Sequence, residues 1–145
     1  MDSGKKTILI VGINNLIGFH LSLHLSSKFN VFGTYSKKLN QYNYLEKFRF
    51  KVLRKNSVKL IKYLSPVDSL VKTVKKLRPD ALIFNTFISK DWNNKKFKYD
   101  QIKNILFHEL DETMIFLKKL GCQTIIVTGS SEDFKDRDIK ISEEF

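Results

Sequence analysis

Gly12 and Gly18 bracket the stretch of this sequence whose residue types and spacing best support chemistry. It reads Gly12-Ile13-Asn14-Asn15-Leu16-Ile17-Gly18 and follows the apolar run Thr7–Val11. A glycine directly after a buried strand permits a tight turn. The first N–H groups of the helix that follows have no partner within the helix, and they carry a partial positive charge. Such a turn holds phosphate. Gly18 lets the helix pack closely on the strand, and position 15 sets how near an anion comes to the backbone. The pattern has the form of a dinucleotide-binding turn, with Gly12, Asn14, Asn15, Leu16, Ile17 and Gly18 as candidate contacts. Asn15 stands where glycine is usual. Asparagine tolerates the left-handed conformation and caps helices, but its side chain takes space where the phosphate approaches. The expectation is weakened binding. The plain alternative is a glycine turn that binds nothing.

A second strand, Asn30–Tyr35, ends at Ser36-Lys37-Lys38. An acidic residue there would accept a ribose 2′-hydroxyl, whereas two lysines favour a 2′-phosphate, so the sequence points to NADP ahead of NAD. The competing reading is two surface lysines among many. His20 and His24 are four apart on the first helix, a spacing that can chelate a metal. No Glu or Cys accompanies them, and no metal site is assigned.

The elements that must position these residues alternate. A helix is expected from about Leu16 to Lys28, with Leu16, Ile17, Leu21 and Leu25 as its apolar face. Residues 39–56 read mostly as helix, with Leu39, Tyr42, Leu45, Phe48 and Val52 on one face. A third strand covers Val58–Leu64. Ser65-Pro66 opens a helix whose apolar face is Leu70, Val71, Val74 and Leu77, and Arg78-Pro79 stops it. A fourth strand is Ala81–Asn85, followed by a polar loop, Ser89–Lys98, holding Trp92. A long helix, about Tyr99–Leu120, carries Ile102, Ile105, Leu106, Leu110, Met114, Leu117 and Leu120, and Gly121 ends it. The fifth strand is Thr124–Thr128, and an acidic tail occupies about 129–145. Strands without alternation suit burial on both faces. The pattern predicts one α/β domain over residues 1–145: a Rossmann-like, doubly wound parallel sheet of about five strands, ending after the fifth.

Composition bounds the function. The 145 residues carry a net charge of +11, with 42% hydrophobic and 28% charged residues, as in an ordinary globular domain. The first 104 residues hold 21 Lys/Arg against 6 Asp/Glu, and the remainder holds 5 against 9. A basic surface attracts phosphate-bearing ligands or nucleic acid. The cations are scattered and mostly lysine, whereas base readout and bidentate phosphate contacts favour arginine, which argues against nucleic acid. A lone cysteine, Cys122, excludes an internal disulfide and fits a reducing, cytoplasmic setting. The opening apolar run is short for a signal peptide, and no stretch approaches the roughly 18 apolar residues of a membrane span.

Taken in order, four stretches resemble the N-terminal portion of the extended short-chain dehydrogenase/reductase superfamily, nearest the nucleotide-sugar epimerase/dehydratase group with its dTDP-4-dehydrorhamnose reductases. The stretch from Gly12 to Gly18 resembles that family's glycine motif. Arg78-Pro79-Asp80-Ala81-Leu82-Ile83-Phe84-Asn85 is similar to the opening and end of its fourth strand. Gly121–Ser131 resembles its fifth strand with terminal serines, and Ile141-Ser142-Glu143-Glu144 the acidic segment before its catalytic helix. The resemblance implies that Asn85, Thr86 and Phe87 lie along the cofactor. It also implies that Ser130, with Ser131 as the neighbouring alternative, hydrogen-bonds the reacting sugar oxygen. Tyr63 falls where the family has an adenine-contacting aspartate, and Asn104 lies about two residues before the family's helix asparagine. The family's proton donor is a tyrosine with a lysine four residues on, in the helix after the fifth strand. The sequence does not reach that helix; Tyr99 and Lys103 have the spacing but precede the strand.

The resulting expectation is an NADP-preferring dinucleotide-binding portion of a nucleotide-sugar oxidoreductase, without useful turnover by itself. A non-catalytic dinucleotide-binding module or remnant is the alternative, and a basic nucleic-acid-binding protein the third. An uncovered sheet side after the fifth strand predicts self-association, for which a homodimer is the simplest form.

Overall fold

The computed structural model describes residues 4–63, 69–85 and 110–128. Five strands, β1 (Thr7–Val11), β2 (Asn30–Tyr35), β3 (Lys59–Lys62), β4 (Ala81–Phe84) and β5 (Thr124–Val127), pair in parallel in the order β3-β2-β1-β4-β5. The chain winds outward from β1 to β3, then returns to the other side of β1 for β4 and β5. The order therefore reverses between β1 and β4, the place where open α/β sheets form a crevice at their carboxyl ends. Helices α1 (Leu16–Ser26), α2 (Tyr44–Lys55) and α3 (Leu70–Leu77) connect them, and α4 has its described part at 110–119. The expected doubly wound fold is the observed one.

Continuous apolarity in β1 follows from burial on both faces. Ile8 and Ile10 enter one core with Val31, Ile83 and the α2 residues Phe50 and Leu53. Leu9 and Val11 enter the other with Leu82, Phe84, Leu70 and Val74 of α3, and Leu110 and Leu117 of α4. Each fully buried Leu or Ile contributes about 1.5–3 kcal/mol. The register of β1 against β4 is fixed at its start by Asp80. Its carboxylate accepts from the Thr7 N–H at 2.7 Å, and its own N–H donates to the Thr7 carbonyl at 2.8 Å.

Several faces differ from the sequence expectation. On α1, partly buried Leu21 and Leu25 pack against the core as expected, but Leu16 and Ile17 are exposed, and the buried residues are Gly18 and Ser22. The helix sits so close that small residues make the closest contact, and the Ser22 hydroxyl turns back to the Gly18 carbonyl at 2.6 Å. On α2, the buried residues are Phe50 and Leu53, while Leu45 and Phe48 point outward. Tyr42 is buried as expected, but it precedes α2 and packs edge-on against Phe50. On α4, Thr113 is buried and Met114 exposed. Finally, α3 is described from Leu70, with Ser69 extended ahead of it. Its buried Leu70 and Val74 are those expected. Residues 65 and 66, the 89–98 loop with Trp92, the first part of the long helix, and the acidic tail lie outside the described residues.

Candidate functional site

The turn after β1 lies at the carboxyl end of the sheet, beside the β1–β4 reversal. Gly12 adopts φ +84°, a left-handed conformation that glycine takes without a Cβ penalty. Its N–H donates to the Thr34 hydroxyl at 3.1 Å, and the Ile13 N–H donates to the Thr34 carbonyl at 3.1 Å. Thr34 is buried on β2, so β2 holds the turn from one side. Ile13 lies over Gly33, where any Cβ would collide with it. Gly18 is equally constrained: a Cβ there would stand 2.4 Å from the Gly12 carbonyl oxygen. Both glycines of the motif thus act as expected, one for the turn and one for the close approach of α1.

Of the two properties expected of Asn15, the structure uses the cap and not the left-handed conformation. It is extended (φ −74°, ψ 171°), not left-handed, and serves as the N-cap of α1, its Oδ1 accepting from the Gly18 N–H at 2.7 Å. Its Nδ2 donates to the Asn85 carbonyl at 2.9 Å, and Asn85 Nδ2 donates back to Asn15 Oδ1 at 2.7 Å. Asn85 is fully buried just past β4, and its Oδ1 accepts from the Thr128 hydroxyl at 3.0 Å. Three side chains therefore link the ends of β1, β4 and β5 across the crevice. The N–H groups of Leu16 and Ile17 have no partner among the described residues, whereas that of Gly18 is already satisfied.

At the end of β2, the Tyr42 hydroxyl accepts from the Ser36 and Lys37 N–H groups at 3.2 and 3.0 Å. The Lys37 ammonium lies over the Tyr42 ring, 5.7 Å from its centroid. The Lys38 N–H donates to the Gln41 side chain at 3.0 Å, and the Lys38 side chain is exposed. The two lysines are presented on a loop held by its own hydrogen bonds.

The first turns of α2 reach the glycine turn through residues that sequence reading did not single out. Glu46 Oε1 accepts from Asn14 Nδ2 at 3.3 Å, and Arg49 Nη1 donates to the Asn14 carbonyl at 3.1 Å. The Arg49 guanidinium also lies over Phe19 of α1, 5.9 Å from the ring centroid. Asn14 Oδ1 is buried without a hydrogen-bond partner. The Asn43-x-x-Glu46 spacing is that of a capping box and was readable as a helix start; contact with Asn14 depends on how α2 packs.

The structure brings together Gly12, Asn14, Asn15, Leu16, Ile17, Gly18 and Asn85, with Ser36, Lys37 and Lys38 at the adjacent strand end. Tyr63 is buried beside β2, its N–H donating to the Tyr35 carbonyl at 2.9 Å. Thr86, Phe87, Ser130 and Ser131 lie outside the described residues, as do Tyr99, Lys103 and Asn104. His20 and His24 are both exposed. Among the described residues, no group of three or more His, Cys, Asp or Glu could hold a metal, and no helix is long and apolar enough to cross a membrane.

No protein-family model matches the sequence, and no curated protein matches it. Solved structures do match. A variant UDP-glucuronic acid 4-epimerase from Bacillus cereus, in complex with NAD and UDP-4-deoxy-4-fluoro-glucuronic acid, superposes with a TM-score of 0.74 at 18% identity, over 95% of this chain and 44% of that one. UDP-glucose 4-epimerase from Bifidobacterium longum, with NAD+ and UDP, gives 0.68 at 16% identity, over 96% and 42%. BdcA in complex with NADPH gives 0.62 at 20% identity, over 90% and 54%. These likenesses show the fold: the chain is built like part of the epimerase structures that its motifs resemble, and it spans less than half of their length.

Proposed function

We propose that this chain is a nicotinamide-dinucleotide-binding domain of the extended short-chain dehydrogenase/reductase type, from an oxidoreductase acting on nucleotide sugars. The observation that carries the reading is the turn from Gly12 to Gly18. It leaves the central strand at the β1–β4 reversal, with the Leu16 and Ile17 N–H groups unpartnered among the described residues at the start of α1. Those donors fit a pyrophosphate, and Ser36, Lys37 and Lys38 fit the adenosine end. A bound nicotinamide would supply hydride transfer. The chain's own residues supply the grip and the orientation, with Asn85, Thr86 and Phe87 along the cofactor and Ser130 at the sugar oxygen. NAD and NADPH in the structural neighbours support a nicotinamide dinucleotide, and the two lysines favour NADP.

The test is a fluorescence titration with NADPH and NADH. The expected result is binding of both, tighter for NADPH, with that preference lost in the double variant Lys37→Ala/Lys38→Ala. Binding of neither would remove the reading.

A second reading is favoured by Asn15. Its amide satisfies the Gly18 N–H internally and ties the turn to Asn85, which withdraws one donor from a phosphate. A dinucleotide-fold module with weak or lost binding and no turnover is consistent with that. The Asn15→Gly variant separates the two readings, since it restores the open turn.

A further inference from the structure

We propose that Glu46 is the ribose-binding carboxylate of this chain, restraining the preference for a 2′-phosphate that Lys37 and Lys38 confer. The inference rests on the dinucleotide reading above. A carboxylate that recognises the adenosine ribose is ordinarily found at the end of β2, and here that end is Ser36-Lys37-Lys38. Glu46 comes from the next element instead. It lies in the first turn of α2, which starts at the carboxyl end of the sheet, on the side where β2 delivers the chain. Its Oε1 is 3.3 Å from Asn14 Nδ2, so it touches the glycine turn itself.

Glu46 is not consumed by these contacts. Its Oε2 accepts from the Asn43 N–H at 2.9 Å and Oε1 accepts from Asn14, which leaves about two of the four acceptor sites of a carboxylate unused. No ion pair neutralises it among the described residues, although Arg49 is one turn away on the same side of the helix and bonds the Asn14 carbonyl. A vicinal ribose diol offers two O–H donors, which suits an anionic acceptor with free lone pairs. A 2′-phosphate would bring like charge to the same place, and Glu46 disfavours it. Asn14 is held from both sides by α2, its amide by Glu46 and its carbonyl by Arg49, so the acceptor and the turn keep a fixed relation.

The capping box supplies the competing explanation, that Glu46 serves only to start α2. Glu46→Gln separates the two, because glutamine at this position retains the reciprocal cap while removing the charge. NADH and NADPH are titrated against the wild-type chain and this variant, with the thermal midpoint recorded for both. The expected result is a midpoint that falls only slightly, since the one amide oxygen of glutamine keeps the Asn43 cap while the Asn14 contact and the charge at the helix start are lost, and an NADPH-to-NADH affinity ratio raised about tenfold, the scale of one charge-assisted hydrogen bond. Binding of both nucleotides with a ratio that stays within about twofold would overturn the assignment of Glu46 and leave the dinucleotide reading standing. Binding of neither by the wild-type chain would overturn both.

Discussion

β1 and β5 are nearly the same peptide, Thr-Ile-Leu-Ile-Val against Thr-Ile-Ile-Val, yet they meet different surroundings. In β1, Leu9 and Ile10 are wholly buried, because β2 and β4 flank the strand and helices cover both faces. In β5, Ile126 and Val127 are 48% and 50% exposed, and the strand lies at the end of the sheet order. Identical propensity thus produces a central strand and a thinly covered one. What distinguishes them is the chemistry after the strand. β1 runs into a glycine turn stitched to β2 by Thr34 and to β4 by Asn15 and Asn85, whereas among the described residues β5 joins that network through Thr128 alone. The turn proposed to bind the dinucleotide is the one tied to both flanking strands.

Truncation in the two strands is the strongest way to break this contrast. Leu9→Ala removes a side chain packed between α3, α4 and the sheet, and the cost expected is about 2–5 kcal/mol. Ile126→Ala, from a half-exposed site, should cost under about 1 kcal/mol. Urea denaturation of both variants measures the difference, and equal losses would show that β5 is as well covered as β1.

Gly18→Ala tests the firmness of the turn. Glycine to alanine within a helix ordinarily gains about 1 kcal/mol. Here the new Cβ would stand 2.4 Å from the Gly12 carbonyl oxygen and 3.0 Å from Ile13 Cα, both backbone, so α1 must move. A net loss of about 1–3 kcal/mol is expected, with loss of dinucleotide binding. A stabilised variant would show that the turn is looser than its contacts suggest.

Asn15→Gly separates stability from binding at one residue. Glycine is nearly as good an N-cap by itself. The larger loss is at buried Asn85, whose Nδ2 and carbonyl would each lose a partner. A stability decrease of about 1–2 kcal/mol is expected, together with tighter NADPH binding, because the Gly18 N–H becomes available. Weaker binding would instead make the Asn15 amide a ligand contact.

The alternation of elements was legible in the sequence because both cores draw on unbroken apolar strands and capped helices. The glycine turn was legible because Gly12 and Gly18 are required by local geometry. The inward faces of α1 and α2 were not. On α1, Leu21 and Leu25 pack against the core as their spacing suggests, but the closest contact is made by Gly18 and Ser22, which carry no hydrophobic signal, and α2 has apolar residues on both sides, so Phe48 and Phe50 cannot be ranked by periodicity. Asn15 could be read as a cap, but its bonds to Asn85 join residues 70 apart and depend on β1 and β4 being neighbours. Glu46 and Arg49 were hidden for the same reason.

The smallest effect on stability concerns the outer side of β5, where the comparison carries a consequence for assembly. Ile126 and Val127 on the strand, with Met114 and Ile115 on α4, leave apolar surface exposed among the described residues. Surface of this kind at the end of a sheet promotes association. Replacing half-exposed Ile126 and Val127 with lysine removes little buried area, so the unfolding free energy should change by no more than about 0.5 kcal/mol. The sedimentation coefficient and the binding of a hydrophobic-surface dye should both fall, because like charges along an edge oppose pairing with a second copy. A wild-type chain that sediments as a monomer and binds no dye would show that this side is covered, and would bring β5 closer to β1 than its exposure indicates.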